Sequence, residues 1–206
     1  MLEHSGSGSD VKSNGASAPT GVFERFFKMT RYCAFFGSIN VGGNRLSMAD
    51  LRYAFEREEF ENVETVVASG NVLFDYDDRP TEGLEDLFAH MMADRFDIES
   101  FVAVRTKDEV RTAIDENPFA GKEDDTRVHT HFLEGQPTKA QFEKLVADHE
   151  DRGDEEKLAL GDRCLFVDYV DGVGRSRLTG DYIARRLKHR GTARNITSLR
   201  RILDKM

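Results

Sequence analysis

The hydrophobic positions of this chain change period several times, and the changes mark its elements. Tyr32-Cys33-Ala34-Phe35-Phe36, after Arg31, is a short apolar run suited to a strand covered on at least one face. Ser47 before Met48, with Asp50 three residues on, marks a helix start. Met48, Leu51, Ala54 and Phe55 then keep helical spacing to about Glu58 or Glu59. Val63–Ala68 and Val72–Tyr76 are two β-prone segments. Between them lies Ser69-Gly70-Asn71, whose Gly and Asn can take positive φ. Pro80 opens a helix striped by Leu84, Leu87, Phe88, Met91, Met92 and Phe96, and Phe101–Val104 is the next strand.

That order is strand, helix, strand, strand, helix, strand, the split βαβ or ferredoxin-like arrangement. Lys107–Asp115 reads as a connecting helix ended by Asn117-Pro118, and Ala120–Thr126 as a polar, acidic loop. The order then repeats. Val128–Leu133 is a strand, and Thr138 caps a helix containing Ala140, Phe142, Leu145 and Val146. Lys157–Leu160 and Cys164–Val170 form a hairpin across Gly161-Asp162. Tyr182, Ile183 and Leu187 mark a helix, Thr192–Asn195 a strand, and Ile196–Leu203 a last helix capped by Asn195 or Thr197. The expected class is α+β: two ferredoxin-like (α/β-plait, βαββαβ) halves in tandem with a C-terminal helix. The expected division is a disordered leader or tag at 1–28, a first half at 29–106, a connecting helix and loop at 107–126, and a second half at 127–206. One continuous α+β domain with a mixed sheet is the alternative.

The first strand breaks into Ser38-Ile39-Asn40-Val41-Gly42-Gly43-Asn44-Arg45 before the first helix. Two consecutive glycines there indicate unusual backbone angles. In a split βαβ unit this loop and the Ser69-Gly70-Asn71 turn come to the same edge of the sheet. Asn40, Gly42, Gly43, Asn44, Arg45, Ser69, Gly70 and Asn71 are therefore the candidate ligand-binding residues, offering backbone N–H groups, amides and a helix N-terminus to an anion. The competing reading is that the glycines only permit tight turns and the asparagines only cap backbone. The loop lacks the third glycine of a dinucleotide fingerprint and the Gly-Lys-Ser/Thr end of a P-loop.

These same residues carry a resemblance. Ile39-Asn40-Val41-Gly42-Gly43, Met48-Ala49-Asp50-Leu51-Arg52 and Ser69-Gly70-Asn71-Val72-Leu73-Phe74 resemble the signature of the domain of unknown function 1697 family. Weaker echoes are Asn117-Pro118-Phe119, Val128–Leu133, Ser176-Arg177-Leu178 and Thr192-Ala193-Arg194-Asn195, so the resemblance runs over nearly all of Arg31–Leu203. It implies paired α/β-plait domains and brings no substrate or reaction. Where the family commonly has arginine and glycine before Ile-Asn-Val-Gly-Gly, this chain has Gly37 and Ser38. Where an aromatic usually follows Arg-Asn, it has Ile196. If the family's arginine contacts a ligand, Arg194 or Arg45 takes over that contact here, and Arg194 and Asn195 join the candidate set.

Charge sharpens this picture. The net charge of −9 argues against non-specific polyanion binding, yet Arg175–Lys205 holds ten Lys/Arg against Asp181 and Asp204, a local +8 that leaves −17 on the rest. Either that segment is an anion-binding face, or it packs on and neutralises an acidic body. Cys33 and Cys164, far apart and each inside a strand pattern, read as buried thiols of a reducing compartment, hence the cytoplasm. No apolar run is long enough to span a bilayer.

Other chemistry is sparse. His129 and His131 share one strand face, but no Cys pair or carboxylate cluster completes a site around them, so no metal and no cofactor is expected. Asp148-His149-Glu150-Asp151 reads as a solvated helix end. Phe35 and Phe36 could stack bases, but Val102-Ala103-Val104 lacks the aromatic pattern of an RNA-binding sheet, and nucleic acid is disfavoured. No Gly-x-Ser-x-Gly occurs. The expectation is a binding module for a small anionic or phosphorylated ligand. An enzyme using Ser38, Ser69 or Asn40 to orient such a ligand, and a protein-interaction module, are the alternatives.

Overall fold

The computed structural model describes residues 28–206 apart from 38, 40–45, 67–69 and 123. Most of its helices begin at a capping side chain. The first strand, β1 (Met29–Phe36), leads to α1 (Met48–Arg57), which Ser47 caps by accepting from the Asp50 N–H. Two strands, β2 (Glu61–Thr65) and β3 (Asn71–Asp77), precede α2 (Thr81–Phe96) and β4 (Val102–Thr106). A reciprocal capping box between Thr106 and Glu109 opens α3 (Lys107–Asp115). In the second half, β5 (Val128–Leu133) is followed by α4 (Lys139–Glu150), opened by a second capping box between Thr138 and Gln141. Then come β6 (Lys157–Gly161), β7 (Cys164–Asp168), α5 (Gly180–Leu187), β8 (Gly191–Asn195) and α6 (Ile196–Lys205).

The result is a mixed α+β fold with two four-stranded sheets, ordered β2-β3-β1-β4 and β6-β7-β5-β8, every adjacent pair antiparallel. Alternation along the central strands separates three cores. Tyr32, Ala34 and Phe36 point towards α1 and α2, where Phe55 of α1 and Phe88 of α2, with Phe74 of β3, pack on them. Leu133, Leu165 and Val167 point towards Ile183 and Leu187 of α5 and Leu145 of α4. Between the sheets, Cys33 and Phe35 of the first meet Val128 and Phe132 of the second, together with Val110 and Ile114 of α3 and Leu199 and Ile202 of α6. At the centre of this seam the rings of Phe35 and Phe132 stack with centroids 4.5 Å apart. The sheet face that could have presented Phe35 to a base is thus covered by the other half.

Several sequence expectations shift. The second strand begins at Glu61 instead of Val63, because a register shift between Glu61 and Glu64, with Asn62 at φ 49°, admits two earlier residues. In the second hairpin the positive φ falls on Arg163 (47°). Gly161 stays in its strand, where a Cβ would come 2.7 Å from Cys164 Sγ and the Phe166 ring, so it serves close packing. Asp148–Asp151 is not a uniformly solvated helix end, since His149 is only 3% exposed. Among the described residues no helix is long and apolar enough to cross a membrane.

Candidate functional site

Antiparallel register sets what lies beside the two glycine-bearing bends. Phe35 at the end of β1 pairs with Asn71 at the start of β3, and the Phe36 N–H donates to Gly70 O (2.9 Å). Thr65, ending β2, pairs with Val72. The flanks of both bends therefore share one sheet edge. Gly70, at φ 72°, sits under Ile39, and a Cβ there would lie 2.9 Å from Ile39 Cγ1 and closer still to its Cδ1. Of the candidate residues, Asn40, Gly42, Gly43, Asn44, Arg45 and Ser69 lie outside the described residues, as does Ser38.

The remaining candidates separate. Gly70, Asn71 and Arg194 meet across 123 residues of sequence. From β8 the Arg194 side chain, 7% exposed, crosses to the first half and uses every donor it has. Nε donates to Asn71 Oδ1 (2.6 Å). Nη1 donates to Thr192 Oγ1 (2.9 Å) and Ala193 O (2.8 Å). Nη2 donates to Phe36 O (2.9 Å) and Gly70 O (3.2 Å). Burial lowers its pKa to about 10. Asn71 is fully buried, and its Nδ2 donates to Val66 O (2.9 Å). Arg194 was expected to offer its charge to a ligand. Three of its five donors go to the ends of the two bends and two to Thr192 and Ala193 of its own strand, because β8 runs alongside β5 with this side chain facing the seam. Asn195, the next residue, caps α6 by accepting from the Ser198 N–H (2.8 Å) and does not join this group.

The same device runs in the opposite direction. Arg105 of β4 crosses to the second half, where Nη2 donates to Leu133 O at the end of β5 (3.0 Å) and to Arg163 O in the β6–β7 bend (3.4 Å). Its guanidinium lies over Phe132 as that of Arg194 lies over Phe35. Each half thus ties the matching strand end and hairpin bend of the other. The two ties differ in charge. Glu85 of α2 accepts from both Arg105 (2.7 Å) and Arg163 (3.1 Å). Burial raises the Glu85 pKa and lowers that of Arg105. Nothing in single-sequence periodicity points to either arginine as a cross-half tie.

The other candidates also find partners. His131 is buried, with Nε2 3.0 Å from Tyr169 Oη, and burial followed by the neighbouring His129 drives its pKa to about 3. His129 meets the Tyr169 ring edge-on. Cys33 and Cys164 are both buried and free of disulfides, and burial pushes their thiol pKa values up, to about 12 for Cys164. Of the ten basic residues in Arg175–Lys205, Arg177, Arg186, Arg190, Arg200 and Lys205 pair with Asp154, Asp148, Glu134, Asp125 and Glu64. That favours neutralisation of an acidic body over an open cationic face.

Two sheets joined through a shared seam, with crossed arginine ties, define this as a two-sheet α+β protein. The chain belongs to the family described as "Protein of unknown function (DUF1697)", whose sequence profile matches residues 29–166. The match stops short of the Ser176-Arg177-Leu178 and Thr192–Asn195 echoes. A solved structure with the same fold is that of conserved bacterial protein SP0830 from Streptococcus pneumoniae. It aligns over 86% of this chain and 98% of that one at 22% identity, with a TM-score of 0.62. No curated protein matches the chain.

Proposed function

We propose that this protein is a non-catalytic binding module for a small anionic or phosphorylated ligand, held at the edge formed by the loop after β1 and the β2–β3 bend. The observation that carries the reading is the position of Arg194. A guanidinium from the second half is hydrogen-bonded to Phe36 O and Gly70 O, at the described flanks of both bends. A buried positive charge at the flanks of glycine-bearing bends favours an anion nearby. Asn40, Gly42, Gly43, Asn44, Arg45 and Ser69 form the rim in this reading, and Arg194 supports it from the flanks. Binding is favoured over catalysis because Cys33, on the strand leading into this edge, is fully buried with a raised pKa.

In the same reading each half is a ferredoxin-like βαββαβ unit, divided at 106 and 127, which the repeated element order and the strand orders β2-β3-β1-β4 and β6-β7-β5-β8 support. Two free buried thiols support a reducing, cytoplasmic setting. The test is a thermal-shift screen of nucleotides, sugar phosphates and inorganic phosphate, followed by titration of any hit against Asn44→Ala and Arg45→Ala. Saturable stabilisation weakened by those changes supports the proposal. A panel with no stabilising member, or a hit indifferent to both changes, refutes it.

A further inference from the structure

Away from that edge, the C-terminal end of α4 and the segment leading into β6 bring His149, Asp154 and Glu156 together. One ligand atom from each lies within 4.8 Å of the others, the one such histidine–carboxylate group among the described residues. All three side chains are at least nine-tenths buried, unlike an ordinary acidic surface cluster. His149 Nε2 lies 3.0 Å from Glu156 O, a carbonyl that can only accept. In the neutral ring Nε2 therefore carries the hydrogen, and Nδ1 presents a lone pair.

That lone pair faces Asp154 Oδ2 at 3.6 Å, and both atoms are buried without a hydrogen-bond partner. Two acceptors facing each other in a buried site repel unless a proton or a metal cation stands between them, and Arg152 Nε, 3.2 Å from Oδ2, leaves Nδ1 without a partner. We infer that His149 Nδ1 and Asp154 Oδ2 hold a divalent transition-metal ion of the zinc type, with Glu156, whose Oε2 lies 3.5 Å from His149 Nε2, within reach as a third ligand.

Three features fit that ion. A zinc ion about 2.1 Å from each of two donors 3.6 Å apart subtends roughly 118°, close to tetrahedral. The other ring nitrogen donates to a backbone carbonyl, the usual way a ligating imidazole is oriented. One nitrogen with two carboxylates suits zinc, manganese or iron better than calcium or magnesium, which prefer all-oxygen shells. A cavity of about 200 Å³, lined by Asp154, Glu156, Asp171, Arg175, Ser176 and Arg177, opens beside the carboxylates and leaves room for water or a small ligand on the ion.

The opposing charges are Arg177, which donates from Nε to Asp154 Oδ1 (2.8 Å), and Arg152, whose Nε is 3.2 Å from Asp154 Oδ2. Arg177 engages the carboxylate oxygen that the ion does not need. Arg152 stacks on the Tyr182 ring (4.3 Å) and must give up Oδ2 when the ion enters.

The test titrates the full metal-free chain with Zn2+ and, separately, Co2+. Binding is read by calorimetry and by the visible d–d absorption that Co2+ acquires in a low-coordinate nitrogen–oxygen site. One equivalent bound by the wild type, with the Co2+ band, is expected. His149→Gln abolishes both, and Asp154→Asn weakens binding by at least about tenfold. The wild-type titration decides the matter even if a variant fails to fold. No uptake by the wild type means that a proton or water fills the gap, and overturns the proposal. Uptake unchanged in both variants places the ion elsewhere and overturns it equally.

Discussion

Replacing Arg194 by methionine tests the claim that one guanidinium ties the two halves together. The change keeps most of the buried length and removes all five donors. Asn71 Oδ1, Thr192 Oγ1 and Phe36 O then lose a charged donor, while Gly70 O keeps the Phe36 N–H. Each weakened buried acceptor costs about 1–3 kcal/mol, so three cost roughly 3–9 kcal/mol. Against this, the charge no longer has to be buried. The lowering of its pKa from 12.5 to about 10 places that relief on the order of 3 kcal/mol. The net expectation is a loss of roughly 0–6 kcal/mol, about 3 kcal/mol at mid-range, a large part of the roughly 5–15 kcal/mol that holds a typical domain. Arg194→Lys keeps the charge but offers three donors, and should fall between wild type and methionine. Urea unfolding followed by circular dichroism measures both, with stability taken from midpoint and slope. The transition should remain single, because α3, α6 and the Phe35–Phe132 stack are shared between halves. A methionine variant within about 0.5 kcal/mol of wild type would falsify the tie, since that is the scatter of ordinary surface changes.

Phe132→Ala removes one ring of the central stack and should cost about 3–5 kcal/mol in the same assay, whereas a peripheral role predicts under about 1 kcal/mol. Gly70→Ala forces a side chain onto a backbone at φ 72° and against Ile39, and should destabilise by roughly 1–3 kcal/mol; a neutral outcome would show that this bend relaxes freely. His131 sets an acid limb. Its folded pKa of about 3 lies below the unfolded value near 6.5, so the unfolded chain takes up the proton first. Stability from this group is complete above about pH 6.5 and declines as pH falls towards 3, by at most about 1.4 kcal/mol per unit. His131→Phe should flatten stability against pH over that window, and an unchanged slope would remove His131 as the cause.

The order of elements was legible because its signals are local. The Ser47, Thr138 and Asn195 caps act over three residues, the α2 stripe over one helical turn, and the burial of Cys33 follows from its neighbours in a short apolar run. Sequence alone also brought the flanks of the two bends to one edge, because alternating strand direction leaves little choice once the elements are ordered. What it left open depends on which side chains meet after two separate sheets have docked. Arg194 stood out in the sequence as a candidate ligand contact, but its reach from β8 to Asn71 and Gly70 came only with the tertiary structure. His149 looked solvated until the segment after α4 folded Asp154 and Glu156 over it. Hydrophobic period records which face of an element is buried and carries no information about the partner buried against it. That partner is settled by shape and hydrogen-bond complementarity between residues far apart in the chain, and only the tertiary structure supplies it.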